Sequence, residues 1–243
     1  MIVGEAQIDP GMRIYAIGDV HGCLSQLQQL IGLIDLDLEQ DPPQAYKIIF
    51  LGDYVDRGPD NAKTIEFLVE LQATFHDYVF ILGNHDERLT LFINDPNRVG
   101  ESFLKWGGAT TLRDYGVIAS PEKPFEAVAA AKELAENMPV GHREFLQNLK
   151  PYYEQSGYFF CHAGVRPGIP LEKQTNHDLT FIRADFLQHE LPFEKVIVHG
   201  HTPVPTPEIH TNRINVDTKC YETGILTALV LEEDRQRFIQ TLA

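Results

Sequence analysis

Short apolar runs alternate with amphipathic stretches through the first part of the chain. Residues 12–17 read as a strand, and Leu24 to Ile31 follow with apolar positions at helical spacing. The pattern repeats: Lys47 to Leu51 predicts a second strand and about 61–73 a helix, with Pro59 and Asp60 as its start signals. Tyr78 to Leu82 predicts a third strand, followed by a helix from about 85 to 94. Such alternation points to β-α-β units. Each strand gives way to a glycine and then to polar residues, and open α/β sheets bind ligands at the carboxyl ends of their strands. Three ends therefore converge on one expected site.

From about 95 to 156 the pattern turns helical, with an alanine-rich patch from Ala127 to Ala135 and no cluster of ligand-type residues. This predicts a helical insertion or cap over the sheet edge. After 157 the chain is strand-rich, at Tyr158 to Cys161, Lys195 to Val198, Ile214 to Val216 and Ile225 to Leu231, which predicts a second sheet. With no repeat, low-complexity tract or linker, all 243 residues are expected to form a single domain.

Composition is ordinary for a globular chain, with 43% hydrophobic and 23% charged residues, so neither disorder nor a membrane is needed. No apolar run approaches the length of a membrane span, and MIVGEAQIDP lacks the regions of a signal peptide, so a cytoplasmic location is expected. Cys23, Cys161 and Cys220 are too scattered for a disulfide framework and are expected as reduced thiols. A formal charge of −15 weighs against nucleic acid as a partner. Part of that charge suits a metal pocket, to which two divalent ions would return about four charges.

The stretch GDVHGC, residues 18–23, ends the first strand with Asp19 and His21 two positions apart. In an extended chain alternate side chains share a face, so both could converge on one metal ion. Four further segments combine a nitrogen or oxygen donor with glycine: Gly52 to Gly58 (GDYVDRG), Gly83 to Asp86 (GNHD), Cys161 to Gly164 (CHAG) and Val198 to Thr202 (VHGHT). A donor set without thiolate fits Mn, Fe or catalytic Zn better than a structural zinc site.

Taken in order, GDxHG, GDxxDRG, GNHD, HAG and GHT resemble the metal-dependent phosphoesterases of the calcineurin-like superfamily, and specifically its phosphoprotein phosphatase branch. The resemblance implies an α/β fold in which two mixed β-sheets are flanked by helices in four layers. It implies two divalent metal ions, foremost Mn²⁺ with Fe or Zn as alternatives. Asp19 and His21 would hold the first, Asp53 would bridge, and Asn84, His162 and His201 would complete the second. Coordination lowers the pKa of water towards 7, which makes a hydroxide the expected nucleophile. His85 resembles the general acid, oriented by Asp56, and Arg57 the phosphate clamp. Arg183, in Phe181-Ile182-Arg183, is the candidate second clamp, with Arg166 as the alternative.

Pro203 stands where many relatives carry a second histidine, which matches the phosphatase branch, whereas GNHD departs from the usual GNHE. His199 and Asp217 border the motifs without being selected by them. Trp106 with Gly107 and Gly108 reads as core packing at a turn, or as a substrate surface. The leading expectation is a phosphomonoesterase acting on phosphoserine and phosphothreonine in proteins, favoured by GDYVDRG. The alternative is a nucleotide hydrolase like the symmetrical diadenosine tetraphosphatases, and a non-catalytic scaffold is disfavoured because acid, clamp and ligands are all present.

Overall fold

The computed structural model describes residues 1–120, 123 and 126–242. The predicted α/β sandwich is what it contains. One five-stranded sheet has the order β10-β9-β1-β2-β3, and the other β4-β5-β6-β8-β7. In the first, β1 (Met12–Ile17), β2 (Ala45–Phe50) and β3 (Tyr78–Phe80) run parallel. β9 (Thr227–Glu232) lies antiparallel to β1, and β10 (Arg235–Gln240) antiparallel to β9. In the second, β5 (Tyr158–Cys161), β6 (Val196–His199) and β8 (Arg213–Asn215) are parallel. β4 (Tyr152–Gln155) and β7 (Glu208–Ile209) close its edges antiparallel.

The central strands β5, β6 and β9 are apolar along nearly their whole length because both faces are covered. From β1, Ile14 and Ala16 meet Phe160, Val198 and Ile214 of the facing sheet. Tyr15 and Ile17 point the other way, into a core shared with α1 (Leu24–Gln40), α2 (Asn61–Thr74) and α3 (Asn84–Asn94). That core continues under α4 (Pro96–Phe103), α5 (Ala109–Asp114), α6 (Ala127–Asn137) and α7 (Val140–Gln147). The outer face of the second sheet, Phe159 and Ile197, packs on Leu179 and Phe186 from α8 (Asn176–Phe181) and α9 (Ala184–Leu187). A last helical turn, α10 (Cys220–Thr223), follows β8.

Two expectations change. The stretch at 225–231 belongs to the first sheet, where β9 fills the free edge of β1. The helical insertion ends sooner than expected, since β4 and the bridge between Ile81 and Lys150 already belong to sheet structure. Within that insertion, residues 121, 122, 124 and 125 lie outside the described residues. Among the described residues no helix is long and apolar enough to cross a membrane, and Cys23, Cys161 and Cys220 are free and buried.

Candidate active site

The loops leaving β1 and β2 are laced together. The N–H groups of Val20 and His21 donate to the Asp53 carbonyl at 3.1 and 2.8 Å, and that of Gly22 to the Tyr54 carbonyl at 2.8 Å. His21, Asp53, Asp56, Arg57 and His201 all adopt the left-handed backbone, with φ of 46, 53, 73, 70 and 63°. Such a conformation costs a non-glycine residue about 1–3 kcal/mol and is tolerated where the surroundings over-determine it. Here it turns functional side chains inward. His21 reaches the site through this turn, not by sharing a strand face with Asp19 as the alternation argument predicted.

Asp86 supplies the over-determination. Its buried carboxylate accepts from the N–H of Asp53 (2.8 Å), Tyr54 (2.9 Å) and Gly83 (3.0 Å), pinning the curled loop to the start of α3. Gly83 permits the approach, because a Cβ there would lie 2.1 Å from the Asp53 nitrogen.

Asp53 is the hub of two donor groups. His21, Asp53 and His85 form one, and Asp53, His162 and His201 the other, each with ligand atoms within 4.8 Å of one another. Asp53 Oδ2 stands 3.5 Å from His21 Nε2 and 3.4 Å from His162 Nε2. The rings are set for ligation: Nδ1 of His21 donates to the Val55 carbonyl (2.8 Å) and Nδ1 of His162 to the Leu51 carbonyl (2.9 Å). Backbone acceptors thereby orient both rings with Nε2 facing inward. Asn84 Oδ1 lies 3.0 Å from His162 Nε2. Asp19 stands beside these groups: its carboxylate accepts the His201 N–H at 3.2 Å, and its charge acts on the His162 ring.

The electrostatics suit cations. Burial pushes the Asp53 carboxyl up, but the imidazoles of His162, His85 and His21 outweigh it and hold it well below the usual range. Burial followed by repulsion from Asp217 raises Asp19. Burial lowers His201 to about 2 and His21 to about 3, leaving both neutral as ligands must be. His162 is raised to about 9, because Asp53 and Asp19 overcome the effect of burial. A pocket that draws positive charge this strongly, with oxygen and imidazole donors and no thiolate, fits divalent metal ions.

The expected acid pair is formed. His85 Nδ1 lies 2.7 Å from Asp56 Oδ2. Burial alone would lower the His85 pKa, yet the carboxylates of Asp53 and Asp56 raise it. The other Asp56 oxygen accepts from Thr111 Oγ1 at 2.6 Å, and Thr111 in turn accepts the Asp56 N–H at 3.0 Å. Arg57 spans the opening, donating to His85 Nε2 (3.0 Å), His21 Nε2 (3.3 Å) and the Tyr221 hydroxyl (2.9 Å). Arg183 also reaches the site, donating to His201 Nε2 at 3.0 Å. Arg166 is committed elsewhere, to Asp178 at 2.6 Å and Asp185 at 3.0 Å. His199 is buried against Phe186 and lies outside both donor groups.

A cavity of about 700 Å³ opens over Asp53, Asn84, His85 and His201, with Arg57, Arg183 and Lys105 on its walls. Trp106 and Gly107 line it too, so the turn expected in the core faces the site. Sequence reasoning missed Thr111, Asp86 and Tyr221. Asp86 alone left a signal, as the departure from GNHE.

Facing mixed sheets that deliver carboxylate, imidazole and amide donors from successive strand ends define a metal-dependent phosphoester hydrolase. The chain belongs to the calcineurin-like phosphoesterase family, whose sequence model matches residues 12–225. It is 30% identical over 241 residues to an asymmetrical bis(5'-nucleosyl)-tetraphosphatase PrpE of Halalkalibacterium halodurans, covering 91% of each chain. It is 32% identical over 236 residues to the protein of the same name from Oceanobacillus iheyensis, covering 89% of this chain and 88% of the relative. Among solved structures, one provisionally described as a diadenosine tetraphosphatase superposes with a TM-score of 0.67 at 18% identity, over 98% of this chain and 99% of its own. A protein serine/threonine phosphatase from Saccharomyces cerevisiae shares the fold at a TM-score of 0.54 and 13% identity, over 97% of this chain and 81% of its own.

Proposed function

We propose that this protein hydrolyses bis(5'-nucleosyl) tetraphosphates, cutting them asymmetrically into a nucleoside triphosphate and a nucleoside monophosphate. The observation that carries this reading is the likeness to relatives of that name, at 30% identity or more over about nine-tenths of each chain. Likeness to the protein phosphatase is one of fold alone. The nucleotide alternative thus displaces the protein phosphatase as leading reading, and asymmetrical cleavage displaces symmetrical. The cytoplasmic location expected from the sequence belongs to the same proposal.

Asp19, His21, Asp53, Asn84, His162 and His201 would hold two divalent cations. Such cations supply Lewis acidity, lowering the pKa of a water and drawing charge from the phosphoryl oxygens. Arg57 and Arg183 donate to the other phosphoryl oxygens, for which the planar guanidinium is well matched. As Arg57 turns to the phosphate it releases His85 Nε2, the atom that delivers a proton to the leaving oxygen. Asp56 stabilises the protonated ring before it gives up that proton, and Thr111 keeps Asp56 in place.

The test is parallel turnover of diadenosine tetraphosphate and a phosphothreonine peptide by metal-stripped protein reloaded with Mn²⁺. The proposal expects a higher kcat/KM for the dinucleotide and ATP plus AMP as products. Preference for the peptide would overturn it, and two molecules of ADP would overturn the asymmetrical cut.

A further inference from the structure

The cavity has a charged wall and an aromatic one. Arg57, Arg183 and Lys105 supply the first, and Trp106, Phe181 and Tyr221 the second. Tyr221 is already engaged, with its hydroxyl on Arg57 and the Arg57 guanidinium 4.8 Å from its ring centroid. Trp106 is different. The Arg88 guanidinium carbon lies 4.1 Å from its centroid and so covers one face, yet the residue remains 43% exposed. The indole also borders the cavity.

Arg88 is held for this contact. It donates to Ser102 Oγ and makes no ion pair among the described residues, its charge lying instead against Trp106 and, at 5.6 Å, against Phe181. The indole is thus braced before any ligand arrives, which reduces the ordering cost of binding. Position matters as well. The next residue, Gly107, has φ of 111° and packs on Arg57, where a Cβ would lie 2.9 Å from Arg57 Cγ. The turn that carries the indole is consequently packed on the loop that carries the phosphate clamp, which sets a flat apolar surface beside a cationic one.

We propose that Trp106, braced by Arg88, is the stacking platform for a nucleobase of the substrate, and so the residue by which the site prefers nucleotides to phosphoesters that lack a base. The proposal rests on the dinucleotide reading above. Stacking a base on an aromatic ring is worth about 5- to 150-fold in affinity.

Because Trp106 is the only tryptophan in the chain, its fluorescence reports on the platform directly. Metal-loaded protein is titrated with α,β-methylene-ADP and with methylenediphosphonate, which lacks the nucleoside. Saturable quenching by the first and not the second is expected; equal responses, or none, would overturn the platform. In Trp106→Ala, the ratio of kcat/KM for diadenosine tetraphosphate to that for p-nitrophenyl phosphate should fall about 5- to 150-fold, mainly through KM. Trp106→Phe should recover most of it. Equal losses on both substrates would assign Trp106 a structural role and overturn the proposal. Failure of the wild type to prefer the dinucleotide would instead defeat the substrate reading, and the fluorescence titration, which needs no turnover, separates the two.

Discussion

The strand-end loops and the helical segment from α4 to α7 serve one site by different means. The loops carry the donors themselves, and each announces them with a carboxylate, amide or imidazole beside glycine. The described residues of the helical segment add no donor to either group, yet Thr111 holds Asp56, Gly107 packs on Arg57 and Trp106 faces the cavity. Chemistry is written in residue type, whereas positioning is written in contacts between distant parts of the chain.

If that division holds, the deepest loss lies in the loops. Asp53→Asn should remove bound metal and activity together, because one carboxylate serves both donor groups; metal content by mass spectrometry and turnover check this, and full occupancy would contradict the shared role. Next comes His85→Asn, which should lower kcat by roughly 10²–10⁴ on diadenosine tetraphosphate. The loss should be smaller on p-nitrophenyl phosphate, whose leaving group needs less protonation, and equal losses would remove His85 from the acid role.

Smaller effects belong to the helical segment. Thr111→Val leaves an Asp56 oxygen without its donor and should lower kcat about tenfold, equivalent to about 1.4 kcal/mol. The pH profile adds a sign. An acid that must be protonated loses activity as pH rises through its pKa, which burial lowers but Asp53 and Asp56 raise more strongly at His85. A displaced Asp56 supports the proton less, so the falling limb of kcat should move to lower pH in Thr111→Val. An unmoved limb with reduced kcat would make Thr111 merely structural. Smallest is Asp114→Ala. The exposed Asp114 accepts from the first N–H of α2 and should contribute about 1 kcal/mol of stability in chemical denaturation without altering kcat.

The same division explains what could be read from sequence. His21, Asp53, Asn84, His85, Asp56, Arg57, His162, His201 and Arg183 are all found around one cavity or its donor groups. His21 shows the limit of alternation, since a left-handed turn, not an extended strand, brings its ring to the site. Thr111 was silent because a threonine in a helix looks alike whether or not it meets a carboxylate 55 residues away. The edge strand β10 was missed because Arg235, Gln236 and Arg237 lack an apolar alternation. β9 was recognised as a strand but given to the wrong sheet, because pairing with β1 joins residues more than two hundred apart and leaves no local trace.

The most direct test of the shared Asp53 is anomalous diffraction from crystals of the Mn²⁺-loaded protein. Two peaks are predicted, one on either side of the Asp53 carboxylate, the first against His21 and the second against Asn84, His162 and His201. A single peak, or a pair of which only one touches Asp53, would contradict a two-metal site built on that residue.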